Sequence, residues 1–324
     1  MDLYLGIDTS NYTTSLAVTD NDGKLLADER KLLEVKKGKV GLRQSEAVFQ
    51  HIKNIPVLCE RIFKKIDNNK IRAISVSAKP RPEEDSYMPV FLVGLNTAKI
   101  LAQAWDIPLI LTTHQEGHIM AGLWSVGMPE WDFFNVIHIS GGTTEILEVK
   151  LQINTNQIMT VKKIGGTGDL HAGQFIDRIG VNMGLPFPSG PSLEKLAQES
   201  SSGAEFPISV KGLSISFSGP ESHGQRLIKK GEKFSEIARG VENCLLKTLE
   251  KVIVNVYYSN NSTNFLFVGG VASNSYLRDN LTKSLNSINS GINLLFAQPT
   301  YSSDNAVGVS LIRQSMGGGV VGDV

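Results

Sequence analysis

Two cysteines, Cys59 and Cys244, are all that 324 residues contain. Both sit in apolar surroundings, which argues against a disulfide framework and fits a reducing compartment. Net charge is missing as well: 32 Lys and Arg balance 32 Asp and Glu. A protein that grips nucleic acid unaided carries a basic excess. Here only small clusters stand out: Lys36-Lys37 with Lys39 and Arg43, Lys64-Lys65, Lys162-Lys163 and Lys229-Lys230. Such clusters read as solvated faces, so if nucleic acid binds, a partner protein supplies part of the charge. No apolar run approaches the roughly 18 residues of a membrane span. Charge and turn residues within the first ten positions lead to the expectation that no signal peptide opens the chain. The expectation is a soluble, cytoplasmic protein. What is present, 41% hydrophobic and 20% charged residues, suffices for a substantial core. The length suits one large domain or two of ordinary size.

The most informative stretch is Thr112-Thr113-His114-Gln115-Glu116-Gly117-His118-Ile119, just after the apolar run 107–111. In a helix, positions i and i+4 lie on one face. Two neutral imidazoles at that spacing can grip one divalent metal, with a third ligand from elsewhere. The zinc metalloprotease motif needs Glu directly after the first His as general base. Here that place is Gln115, and the acid comes one position late, at Glu116. The reading is a metal site without the protease base; the plainer alternative is a His pair on a helix surface or capping a core.

Two stretches repeat one pattern. Leu3 to Ile7 reads as a strand, 8–14 as a hydroxyl-rich turn, and 15–19 as the return strand. A third strand, 24–30, follows Gly23. The pattern returns at 134–139, with the turn Ser140-Gly141-Gly142-Thr143-Thr144 and a return strand over 145–150. Ser10 and Ser140 correspond at an offset of 130, as do Thr13-Thr14 and Thr143-Thr144. Paired turns bearing hydroxyls and glycines offer N–H groups and hydroxyls to a phosphate. This is the arrangement of the actin-like ATPase superfamily, which includes sugar kinases and chaperone ATPases; the alternative is two unrelated hairpins. The expected fold is α/β and actin-like, with two similar lobes and a central ligand cleft. The lobes are placed at 1–130 and 131–324, the second carrying a helical insertion.

Helical spacing predicts a helix over 44–65 with Val48, Ile52, Ile55, Cys59 and Ile62 buried. A strand follows over 71–77, then a loop over 79–89 with three prolines and the acidic run 83–85. A helix over 90–105 is expected to bury Leu92, Leu95, Ala98, Ile100, Leu101 and Ala102. A further helix over 172–183 stops at Gly184, Pro186 and Pro188. Asp177 lies inside it, either paired or binding a ligand. Alternation over 213–220 reads as a strand edge, and 235–258 as a long helix with Ile237, Val241, Leu245, Leu246, Leu249 and Ile253 inward. The apolar strand 265–268 runs into Gly269-Gly270, and a helix begins near Ser275, a usable nucleotide cradle but a weak signal alone. Asp304 is either a helix cap or a metal ligand. The tail Gly317-Gly318-Gly319 reads as loose.

Several ordered motifs together resemble the tRNA threonylcarbamoyladenosine-forming transferases, also called the glycoprotease or O-sialoglycoprotein endopeptidase family. They are His114-x-x-Glu116-Gly117-His118, Ser140-Gly141-Gly142, the stretch from Phe175 to Pro188-Ser189-Gly190-Pro191, Phe217-Ser218-Gly219, Gly269-Gly270-Val271-Ala272-Ser273-Asn274, and Ser303-Asp304-Asn305. The resemblance implies a divalent metal, iron or zinc, on His114, His118 and Asp304. It implies threonylcarbamoyl-adenylate or another adenine nucleotide at His138, Ile139, Ser140, Gly141 and Gly142, with Asp177, Gly190 and Asn274. It implies transfer of threonylcarbamoyl from its adenylate to an adenine beside the tRNA anticodon. The partners it implies are tRNA and accessory proteins of a threonylcarbamoyladenosine-forming complex.

The chain departs from the family pattern in places. Tyr12-Thr13 replaces an acidic pair, and Lys79 to Pro89 replaces Gly-Pro-Gly. Thr143 replaces His after Ser-Gly-Gly. Leu170 stands for the second of two acids, Gln174 for a third, and Pro220-Glu221 follows Phe-Ser-Gly. These changes suggest a divergent paralogue with three readings: a threonylcarbamoyl or carbamoyl transferase, on tRNA or another acceptor; a nucleotide-binding scaffold without chemistry; or a metallopeptidase, against which Gln115 argues.

Overall fold

A computed structural model describes residues 1–10, 12–35, 42–152, 158–288 and 291–315. Asn11, Lys36, Lys37, Lys39 and Gly317–Gly319 lie outside the described residues. In chain order the elements begin β1 (Leu3–Asp8), β2 (Thr13–Asp20), β3 (Leu25–Leu32), α1 (Gln44–Phe63), β4 (Ile71–Lys79), α2 (Phe91–Trp105), β5 (Leu109–Thr113) and α3 (His114–Ser125). Next come β6 (Phe133–Ile139), β7 (Thr144–Leu151), β8 (Met159–Thr167), α4 (Ala172–Asn182), α5 (Gly190–Ala197), β9 (Val210–Lys211), β10 (Ser214–Ile215) and α6 (Ser218–Lys229). The rest are α7 (Phe234–Asn260), β11 (Asn264–Val268), α8 (Ser275–Ile288), β12 (Asn293–Phe296), α9 (Pro299–Ser302) and α10 (Val307–Ser315).

The chain divides into two compact units, and it crosses between them more than once. The first holds Met1–Glu130, Leu151–Val161 and the chain from Ser303 on; the second holds Trp131–Lys150 and Lys162–Ser302. Residues 303–315, which a single break near 130 assigns to the second lobe, group instead with the first unit.

Each sheet is built on the same order. The first runs β3-β2-β1-β4-β5. The second contains β8-β7-β6-β11-β12, extended past β8 by β10 and β9. In both, a strand pairs antiparallel with its successor across a polar turn and parallel with a later strand on its other side. The duplicated meander seen in the sequence is thus the seed of each sheet.

In the first unit, side chains alternate across β1 as strand geometry requires. Ile7 faces Gly94 of α2, while Gly6 faces Ala306 and Ser310 at the start of α10. Both faces are covered, so Leu5, Ile7, Leu16 and Val18 are fully buried. The central strands accordingly read as near-continuous apolar runs. Thr9, on the α2 side, accepts from the Gly94 N–H at 3.1 Å and donates to the Val90 carbonyl at 2.9 Å, which fastens the first turn of α2.

Helix faces differ from expectation in two places. On α1 the buried side is Ala47, His51, Asn54, Ile55, Leu58 and Ile62, while Ile52 is 55% exposed. His51 and Asn54 turn inward because both bond Thr14 of β2: His51 Nδ1 lies 2.9 Å from Thr14 Oγ1, and Asn54 Nδ2 donates to it at 3.1 Å. On α2 the buried residues are Phe91, Gly94, Ala98 and Ala102, leaving Leu92 and Ile100 exposed.

In the second unit, the 27-residue helix α7 buries Ile237, Val241, Leu245, Leu249, Val252 and Ile253. Phe175 of α4 stacks on Phe217 at 5.4 Å in the same core. The strand expected over 213–220 is only Ser214–Ile215, and Ser218 opens α6 instead. The cause is Asp169, whose carboxylate accepts from Ser216 Oγ, Ser218 Oγ and the Phe217 N–H. These bonds bend the chain out of extended pairing. Burial works against the charge on Asp169, but the hydroxyls of Ser216, Ser218 and Thr167 hold its carboxyl far below the usual range. No described helix is long and apolar enough to cross a membrane.

Candidate functional site

Thr113, at the end of β5, caps α3. Its Oγ1 accepts from the Glu116 N–H at 3.2 Å, and the Glu116 carboxylate accepts from the Thr113 N–H at 2.8 Å. Thr112 and Thr113 hydroxyls donate to the same carboxylate oxygen at 2.8 and 2.9 Å. This is a capping box, and it occupies Glu116 in starting the helix. The acid that falls one position late for a protease base thus has a structural role.

The helix opens at His114, so His114 and His118 share a face. Their Nε2 atoms lie 3.1 Å apart. Asp304 Oδ1 stands 3.5 Å from His114 Nε2 and 3.4 Å from His118 Nε2. A tetrahedral ion with bonds of about 2.0–2.1 Å holds its ligand atoms about 3.3 Å apart. The triangle therefore has the dimensions of a divalent-metal site, with two imidazoles and one carboxylate as its donor set. Among the described residues these three are the group that could hold an ion.

What brings Asp304 there is the crossing of α3 and α10. A Cβ on Gly308 would run into the Gly117 carbonyl and the Ala121 nitrogen, so the two backbones touch. Asn305 caps α10 by accepting from the Val307 N–H at 3.0 Å, and the Ala306 N–H donates to Ser15 Oγ at 2.9 Å. Asp304 is thereby free of capping duty and points at the histidines.

Behind the triangle sits Asp8, a residue that sequence reading places only in a polar turn. Its Oδ2 is 3.0 Å from His114 Nδ1 and accepts from Ser77 Oγ at 2.6 Å. Its Oδ1 accepts from the Ser10 N–H at 2.8 Å and from the Ser10 hydroxyl. An ionised carboxylate only accepts, so His114 donates through Nδ1 and keeps the Nε2 lone pair for a metal. The available signal was an acid ending an otherwise apolar strand. Burial disfavours charge on His114, but Asp8 and Asp304 outweigh it and raise the imidazole to about 10. Burial likewise opposes charge on both acids, and the His114 imidazolium helps hold each below the usual carboxylate range. Without an ion, a proton fills part of its place.

The residues expected at a nucleotide lie in the second unit. His138 and Ile139 end β6, both largely buried. The Ser140–Thr143 turn is closed by the Ser140 N–H donating to the Thr143 carbonyl at 2.8 Å. A Cβ on Gly173 would strike Gly141 and the Ser140 carbonyl, so α4 begins directly on this turn. Gly269 crosses Ile139 closely with φ of +94°, a conformation glycine adopts without strain. Turn, α4 start and Gly269 are therefore together. Asp177 accepts from the Ser189 N–H at 2.7 Å, which ties it to the residue before Gly190 rather than to a neighbouring cation. Burial raises the Asp177 carboxyl and that hydrogen bond opposes the rise. Asn274, which follows the Gly269–Ser273 turn, is held by other partners. Its Nδ2 donates to Glu242 at 2.8 Å and its Oδ1 accepts from the Leu277 N–H at 2.9 Å. Glu242, with its partner Arg239, escaped the sequence reading because both lie within one apolar helix pattern.

The sequence model of the TsaD family, tRNA N6-adenosine threonylcarbamoyltransferase, matches residues 30–310. The tRNA N6-adenosine threonylcarbamoyltransferase of Thermus thermophilus is 30% identical over 314 residues, covering 95% of this chain and 90% of that protein. Among solved structures, full-length HypF in its phosphate- and nucleotide-bound form aligns with 97% of this chain and 46% of its own, at TM-score 0.60 and 16% identity. A ROK-family glucokinase from Streptomyces griseus aligns with 96% of this chain and 99% of its own, at TM-score 0.53 and 12% identity. At such identities these structures establish the fold, the actin-like ATPase architecture. With the family model spanning most of its length, the chain belongs to the tRNA N6-adenosine threonylcarbamoyltransferases, a family of acyltransferases.

Proposed function

We propose that this chain moves a threonylcarbamoyl group from its adenylate to the N6 amine of a tRNA adenosine. The observation that carries the reading is the metal-sized triangle of His114, His118 and Asp304. That triangle also argues for a catalyst over a non-catalytic scaffold, which has no need of three converging ligand atoms. In the reaction the N6 nitrogen bonds to the carbamoyl carbon, the carbon–oxygen bond to the phosphate breaks, AMP leaves, and the amine proton passes to solvent. A divalent ion, iron or zinc, supplies Lewis-acid polarisation when bound. The chain's own residues do the rest. Asp8 fixes the His114 tautomer, and Ser77 and Ser10 fix Asp8. In the second unit, the 138–142 segment with Asp177, Gly190 and Asn274 holds the nucleotide part, and the Ser140–Gly142 turn offers N–H groups to the phosphate. The balanced net charge supports accessory proteins that contribute basic surface toward tRNA.

The test is transfer from freshly made threonylcarbamoyl-adenylate to unmodified tRNA, with and without accessory proteins of the relatives. His118→Ala should lower transfer by about 10²-fold or more. No transfer by the wild type, from protein that still binds metal and nucleotide, would sink the tRNA acceptor.

A further inference from the structure

The second unit holds a buried polar relay that the proposed reaction does not use directly. Glu242, in the middle of α7, is 1% exposed. Its Oε2 accepts from Arg239 Nη1 at 2.7 Å, and its Oε1 accepts from Asn274 Nδ2 at 2.8 Å. Arg239 is itself pinned. Its guanidinium lies 4.0 Å over the Tyr276 ring, and its Nε donates to the Ser200 carbonyl at 3.3 Å. Asn274 is held at its other end by the Leu277 N–H. A carboxylate can only accept, so the Asn274 amide has one orientation: Nδ2 toward Glu242, Oδ1 toward α8. The side-chain donor left to Asn274 is its second Nδ2 hydrogen. Arg239, Glu242 and Tyr276 border a cavity of about 200 Å³, lined also by Glu194 and Ser275.

We propose that Glu242 is a positioning residue of the nucleotide site, fixing the Asn274 amide so that its remaining N–H faces the ligand, with Arg239 holding the carboxylate in place. The inference rests on the reading of Asn274 as a nucleotide-binding residue. Gln cannot replace Glu here. Its amide nitrogen has no lone pair, so one of the two donors, Arg239 or Asn274, would face another donor.

The same geometry gives the relay a pH response. Burial raises the Glu242 carboxyl, bonds from Asn274 and Arg239 oppose the rise, and the Glu194 charge adds to it, leaving it at about 7. The charged groups around it are Arg239 on its own helix, Glu194 on α5, and Asp279 and Lys283 of α8, which line the same cavity. Protonation converts one acceptor oxygen into a donor and breaks one of the two bonds. Arg239 stays charged and keeps its acceptor, so the bond lost is the one to Asn274, whose amide is set while Glu242 is ionised and released when it is protonated.

The experiment measures adenosine binding by the full chain across neutral pH, using adenosine because it has no phosphate to titrate there. Wild-type affinity should fall several-fold as pH drops through 7. Glu242→Gln should bind roughly tenfold or more weakly, with a flat profile. The double variant with Asn274→Ala should be no weaker than Asn274→Ala alone. Wild-type affinity in Glu242→Gln, or losses that add in the double variant, would overturn the relay while leaving the nucleotide site standing. If Glu242→Gln does not fold, Asn274→Ala alone decides: a flat profile supports the relay, and an unchanged pH response overturns it. A wild type that binds no adenosine at any pH overturns the nucleotide site and the relay together.

Discussion

His114 Nδ1 and Asp8 Oδ2 stand 3.0 Å apart, with Ser77 and Ser10 gripping the carboxylate from behind. Such outer partners set the tautomer and angle of a ligating imidazole, and losing one typically costs 10- to 100-fold in metal affinity. Asp8→Asn should therefore weaken metal binding by roughly that factor, read by titration against a chelator of known affinity. Unchanged affinity would mean that Asp8 does not orient the ligand. His114→Ala should abolish binding altogether, and an ion retained in that variant would refute the site. The residue scale also shows what a sequence can disclose. The His pair was legible because four positions in a helix fix a local geometry. Spacing could not join Asp304 to the pair, since 186 positions separate it from His118; its place before α10 left it as either a cap or a ligand, and the ordered family motifs favoured the ligand. Asp8 stayed hidden because its one local signal, an acid ending an apolar strand, is shared by ordinary turn residues.

At the scale of elements, the crossing of α3 over α10 determines whether the third ligand arrives. Gly308→Ala puts a methyl against the Gly117 carbonyl and the Ala121 nitrogen. Overpacking of this kind costs about 1–3 kcal/mol. The variant should show a lower denaturant midpoint and, because Asp304 leads into α10, weaker metal binding as well. Full stability with full affinity would show that the helices tolerate separation. The strands were read well from the sequence, since each meander repeats a short apolar run, a polar turn and a second run. Helix faces were read less well. On α1 several apolar stripes compete, and the choice is made by His51 and Asn54 bonding Thr14 on another element. The start of α6 was lost for a like reason. Ser214, Ser216 and Ser218 alternate as a strand does, but Asp169, 47 to 49 positions earlier, takes the two later serines out of the pattern.

For the molecule as a whole, the three proposed metal ligands all belong to the first unit, so ion binding should stabilise that unit. A ligand at a hundredfold excess over its Kd adds about 2.7 kcal/mol. Calorimetry of loaded and chelated protein should then show the transition of the first unit rising by roughly 2–4 °C per kcal/mol. A shift confined to the second unit would place the ion elsewhere. The pH dependence of chelated protein follows from the same charges. His114 is raised from 6.5 to about 10 on folding, so its contribution is complete below 6.5 and is lost as pH climbs toward 10. Asp8 and Asp304 are lowered from 3.8, so theirs is complete above that value and is lost in acid. Chelated protein should therefore lose stability from pH 6.5 toward 10, and a flat melting temperature over that range would contradict the arrangement. The grouping of residues 303–315 with the first unit carries no local mark in the sequence.

That return has a consequence for synthesis. A ribosome releases the residues of the second unit before Asp304 and α10 appear, so the later half of the chain can close while the earlier half still lacks a helix. Until then Gly6 of β1 lacks the Ala306 and Ser310 contacts it faces, and the two histidines wait without Asp304. The unit whose translation begins first thus waits longest for its last helix, and an ion captured by His114, His118 and Asp304 together would mark a chain in which α10 has docked.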